Sequence, residues 1–196
     1  EPSARAAEIL RRSTPPPRLE VGALGDLLLT EAEAVADSAE KASRVRLAAR
    51  LREQAFRVEG VASDGVVAME LLARAAELEQ GSEQACRSDR ARALLAGDVA
   101  GDAVVTYREL YLAKQRQSRL AKSECMDSLD QDLARLGVFR PSGEAWARLL
   151  SDGDRQLQKL TRASAPSVSP SSSSSPPQAS EPGDRIVSPV VVPSGG

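Results

Sequence analysis

"LLAGDVAGDAVVTYRELYLAKQ", residues 94–115, sets a glycine-aspartate pair at Gly97-Asp98 ahead of Ala103, Val104, Tyr107, Leu110 and Tyr111. Intervals of three and four place those side chains on one face of a helix of 3.6 residues per turn. Glycine accepts the left-handed backbone that ends a helix, and aspartate offers an oxygen to the first N–H groups of the next one. The stretch therefore predicts one helix ending near 96 and a second over 99–116. That pattern sets the fold class as all-α.

The same punctuation extends outward. Gly60, Asp64-Gly65, Gly81-Ser82 and "GVFRPSGE" (137–144) divide the chain into predicted helices over 24–36, 39–59, 64–80, 83–96, 119–136 and 142–160. Ser82 lacks an acid three residues on, which weakens that start. Within 119–136, Met126, Leu129, Leu133 and Leu136 form an apolar stripe, and Asp127, Asp130, Gln131 and Arg135 face water. Short turns make neighbouring helices antiparallel, so the expected architecture is a stack of helical hairpins or a compact bundle.

Composition agrees. The chain has 196 residues, 41% of them hydrophobic, and only two Phe, two Tyr and one Trp, so its core must rest on Leu, Val and Ala. Strands draw on aromatic and β-branched residues, which favours helices. A net charge of -2, with acidic and basic residues interleaved, leaves no basic stripe to displace counterions from a nucleic acid, so no nucleic-acid partner is expected. No segment approaches the roughly 20 apolar residues that span a bilayer. Arginine outnumbers lysine and alanine is abundant, the codon bias of a GC-rich source.

Three regions follow. Residues 1–19 hold a short helix, "SARAAEILRR", and the spacer "STPPPR"; residues 20–162 form the helical domain; residues 163–196 are a Ser/Pro-rich, disordered linker with a strand-like end, "GDRIVSPVVVPSGG". The chain opens at Glu1 without a methionine and ends just after an apolar run, which suggests a processed product or an excised piece.

Ala103, Tyr107 and Leu110 place a small residue, an aromatic four later and an apolar residue three after that. Ala68, Leu72 and Ala75 repeat the small-large-small spacing 35 positions earlier. Over about residues 46–117 this resembles two tetratricopeptide repeats, whose period is about 34 residues. In that family small residues let the second helix of a hairpin sit close to the first. The proline that follows the family's second helix is absent here, with Gln80 and Gln115 near the expected places, and the large residue early in the first helix is also missing. An ordinary helical bundle is the alternative. The helical region followed by a Pro/Ser-rich linker is also similar to the N-terminal accessory part of secreted cell-wall amidases of some high-GC bacteria, ahead of a zinc-dependent catalytic domain. That resemblance implies an exported or periplasmic location.

Reaction chemistry is sparse. Histidine is absent, which removes the commonest general base and imidazole metal ligands. Two cysteines cannot close a four-ligand thiolate zinc site, and no phosphate-binding loop or dinucleotide fingerprint occurs. Catalytic and metal residues are therefore expected to be none, with no cofactor. Pairs such as Asp127 with Asp130, or Asp152 with Asp154, read as helix surface or caps. Cys86 and Cys125 are either a disulfide in an exported protein or two buried thiols. Arg87, Arg90 and Arg92 share one helix, to receive an acidic partner or to face water. Tyr107 and Tyr111, one turn apart, floor a groove or pack inward; with Arg87 and Arg90 they are the candidate partner groove. Trp146 shares a face with Leu149 and Leu150 and reads as core. The expected function is a non-catalytic helical scaffold that binds a protein partner or tethers a following domain. The amidase accessory arm is the alternative, and a toxin-like or secretion-apparatus protein a third.

Overall fold

The chain folds into helices, several of which start or stop on a local chemical device. In a computed structural model, which describes residues 1–12 and 18–151, these are α1 (Pro2–Arg11), α2 (Arg18–Glu33), α3 (Ser38–Glu59), α4 (Ala62–Leu78), α5 (Glu83–Ala100), α6 (Ala103–Arg116) and α7 (Glu124–Leu136). A 3-10 turn over Gly137–Phe139 leads to α8, residues 143–151. No strand occurs among the described residues. The spacer at 13–17, the end of the last predicted helix and the Ser/Pro-rich tail lie outside them.

Asp37 caps α3 by accepting the Glu40 N–H at 2.7 Å, and Gly60 closes it in the left-handed region (φ 70°). Ser82 caps α5 through the Ala85 N–H at 3.0 Å even without a downstream acid, and Ser123 caps α7. Residues 119–123 are accordingly turn rather than helix, and α7 starts five residues later than its stripe suggests. At the other end of the chain α2 begins at Arg18 rather than 24. Val21, Leu24, Leu28 and Ala32 give it a continuous buried stripe.

The opening stretch resolves differently from its reading. Gly97-Asp98 is no break: α5 runs through both to Ala100, and the stop is the second glycine-aspartate pair. Gly101 takes the left-handed conformation (φ 64°), and Asp102 accepts the Val104 N–H at 2.8 Å. Gly97 is glycine because α6 crosses there. A Cβ on it would lie 1.7 Å from Thr106 Oγ1 and 3.2 Å from Thr106 Cα. Asp64-Gly65 is likewise inside α4, since a Cβ at Gly65 would meet Val99 Cγ2 at 2.4 Å and Phe56 Cγ at 3.2 Å.

Those two contacts also give the order of packing. The start of α4 sits between the ends of α3 and α5, so α2 to α6 are antiparallel in sequence, each packed on the next, while α7 rests on α6 and α5. Residues 1–19 contribute to this body: Ala6 and Ile9 of α1 are buried against α2 and α3. The core falls into two clusters. The larger, from α1 to α5, is Leu and Val packed among alanines such as Ala48, Ala49, Ala68 and Ala75, which let helix axes approach. The smaller joins Cys86 and Ala93 of α5 to Leu110 and Ala113 of α6 and Cys125 and Leu129 of α7.

Candidate functional site

Charged residues interleaved along helices read as solvated surface, yet among the described residues four carboxylates are buried: Asp64, Asp89, Glu109 and Asp132. A carboxylate without a partner in such a place is costly by several kcal/mol. Each of these is held by arginine. Asp64 at the start of α4 takes Arg18 from α2 and Arg52 from α3, the latter at 3.3 Å; Arg52 also reaches Asp26 at 2.9 Å. Gly22 and Gly25 of α2 leave room for that guanidinium to lie across the helix. The bond to Asp64 holds Arg18 above its ordinary pKa, against the opposing effect of burial. Asp132 of α7 accepts Arg90 of α5 at 2.7 Å.

The other two carboxylates stand beside a cleft. Glu109 of α6 accepts Arg108 Nε at 3.0 Å and Arg92 of α5 at 3.1 Å. Asp89 of α5 accepts Arg116 Nε and Nη2 at 3.1–3.3 Å and the Gln117 amide at 2.8 Å. An open cleft of about 480 Å³ lies where the turn from α4 to α5 meets the end of α6. Ala73, Ala76 and Leu120 give it apolar surface; Arg92, Arg116 and Arg119 give it positive charge. Glu77 and Asp89 line it as well.

Of the residues singled out from sequence, Arg92 lines the cleft, and the cysteines and the candidate partner-groove residues lie elsewhere. Cys86 and Cys125 form a disulfide, S–S 2.01 Å with Cα atoms 6.1 Å apart, inside the smaller core cluster. Arg87 pairs with Glu83 at 2.6 Å and Glu124 at 3.4 Å. Arg90 belongs to Asp132. Each arginine of α5 is thus engaged within the chain, Arg87 while half exposed. Tyr107 and Tyr111 pack edge-on against Trp146 with centroids 5.4 and 5.3 Å apart, and Arg140 lies 5.5 Å over the indole. None of Arg87, Arg90, Tyr107 and Tyr111 lines the cleft.

What sequence reasoning missed is the buried acids and the end of α6. A signal for the acids was present, because each sits in phase with an apolar stripe. Asp89 follows Cys86 by three and precedes Ala93 by four; Asp64 precedes Ala68 by four; Glu109 precedes Ala113 by four. Among the described residues no three of Cys, Asp and Glu gather to hold a metal ion, and no helix is long and apolar enough to cross a membrane. Comparison with protein families, with curated proteins and with solved structures finds no match to this chain.

Proposed function

We propose that this chain is a non-catalytic helical scaffold that holds a protein partner or carries a following domain. The observation that carries the reading is the use made of buried charge. Asp64, Asp89, Glu109 and Asp132 are each bound by an arginine from a neighbouring helix or turn, an arrangement that fixes helix register rather than leaving an acid or base facing a substrate. Ala68, Leu72 and Ala75 on α4, and Tyr107 and Leu110 on α6, are buried, which supports the packing role that a tetratricopeptide-like spacing gives them.

A second reading, an accessory arm of an exported cell-wall amidase, draws on the disulfide, since such bonds persist in oxidising compartments. Two measurements test the scaffold, and failure to capture a partner together with a catalytic domain encoded directly downstream would favour the accessory arm. The scaffold predicts capture of a defined partner from native extract, released by excess soluble chain, at about micromolar affinity, and no release of peptide from peptidoglycan. Turnover of peptidoglycan by the isolated 196 residues would overturn it.

A further inference from the structure

We propose that the cleft between the α4–α5 turn and the end of α6 binds a short acidic peptide segment of the partner, a site that rests on the scaffold reading and gives it a ligand chemistry.

Three guanidinium groups, from Arg92, Arg116 and Arg119, line one cleft. A guanidinium has five N–H donors. Arg116 uses Nε and Nη2 on Asp89, and Arg92 uses Nη2 on Glu109, so each keeps further N–H groups after its internal bonds are made. Arg119 is exposed and forms no ion pair among the described residues. Among the lining residues three arginines stand against Asp89 and Glu77, an excess of one positive charge, while Asp89 and Glu109 offset the arginines they bind. Their effect is to hold Arg116 and Arg92 in place, so that little side-chain freedom is lost when an anion arrives.

The rest of the lining selects among anions. Glu77, exposed and also without an ion pair among the described residues, disfavours a dense polyanion and suits a ligand that brings N–H donors together with carboxylates. A peptide backbone with acidic side chains does both. Ala73, Ala76 and Leu120 provide apolar surface for the methylene stems of those side chains. Three arginines are too few to follow a phosphate backbone in a chain of net charge -2.

The test uses the full chain, labelled with nitrogen-15, titrated with acetyl-Glu-Leu-Glu-Glu-amide, with acetyl-Lys-Leu-Lys-Lys-amide and with inorganic phosphate. The acidic peptide should shift the amides of Gly81, Gln117, Arg119 and Leu120, and the lysine peptide should not. Arg119→Gln should weaken binding about two- to fivefold and Glu77→Gln should strengthen it by a similar factor, the range of an exposed ion pair. Both side chains are at the surface, and spectral dispersion in the same titration reports the fold. No shift at these amides at millimolar peptide, an affinity that neither substitution changes, or tighter binding of phosphate than of peptide would overturn the proposal. Peptide-induced shifts confined to another surface overturn the cleft and leave the scaffold; peptidoglycan turnover overturns the scaffold itself.

Discussion

Replacing Gly97 with alanine separates two roles that glycine has in a helix. In an exposed helix interior the change gains about 1 kcal/mol, because alanine has less backbone freedom to lose. At Gly97 the new methyl would lie 1.7 Å from Thr106 Oγ1, 2.8 Å from Thr106 Cβ and 3.2 Å from Thr106 Cα. Rotating the threonine removes only the first contact. The other two belong to atoms fixed to the α6 backbone and fall short of the roughly 3.5–4.0 Å at which carbon atoms sit comfortably. The helices must part, and overpacking of this kind is destabilising by about 1–3 kcal/mol. Taking the upper end, since backbone has to move, and subtracting the propensity gain leaves a net loss of about 2 kcal/mol, or about 4–8 °C in Tm. Urea and thermal unfolding followed by circular dichroism at the helical band measure it. Gly137 is the control: its backbone is right-handed helical and nothing lies within 4 Å of an added Cβ, so Gly137→Ala should be neutral or stabilising by up to about 1 kcal/mol. A Gly97→Ala protein at or above the wild-type midpoint would refute the crossing.

Three further outcomes follow from the charges and the disulfide. Opening Cys86–Cys125, which are 39 positions apart, should destabilise the fold by about 4 kcal/mol in the chain-entropy model; coincident urea curves with and without reductant, or two free thiols in unreduced unfolded protein, would contradict it. Glu109→Ala removes a buried carboxylate that both Arg92 and Arg108 bind and should lose about 3–5 kcal/mol, more than Glu109→Gln; a loss under about 1 kcal/mol would show these pairs to be dispensable. Hydrogen bonds from Arg74 and then Lys41 hold Glu33 below its ordinary pKa of 4.5, so its contribution is present above that pH and lost as pH falls through the lowered value. The gap in midpoint between wild type and Glu33→Gln should therefore shrink from pH 7 to about pH 3, and a gap that persists unchanged would count against the pairing.

The helices themselves were legible because their signals are local. Gly60, Ser82 and the 137–144 break act within a few residues, and the stripes of α4, α6 and α7 follow the helical period. Glycine at 97 and 65 was misread for a reason that one sequence cannot supply. A helix stop and a helix crossing both call for a missing Cβ, and only the partner helix, with Thr106 or Val99 on it, tells them apart. Of two identical glycine-aspartate pairs four residues apart, the structure uses the second as the break. The buried acids were missed because interleaved charges resemble a wet face; their arginines come from as far away as position 18 for position 64. The cleft was invisible for the same reason, since Asp89 meets Arg116 and Gln117 only after α5 and α6 have paired. Arg87, Arg90, Tyr107 and Tyr111 drew notice by residue type, and packing then assigned them to α7 and Trp146.

Helix α5 is a wall common to two rooms. Leu95 and Ala96 belong to the larger core cluster, Cys86 and Ala93 to the smaller, and among the described residues no other helix contributes fully buried residues to both. Hydrophobic stability is therefore not pooled, and the chain should open in two cooperative units. Loss of the smaller cluster frees α6 and α7 while α1 to α5 keep their contacts. The disulfide runs from that wall to the start of α7, so α6 opens inside a closed loop and the start of α7 stays tied to α5. A protein built in this way can yield on one side under load, and keep both its remaining fold and the address to which the yielded part comes back.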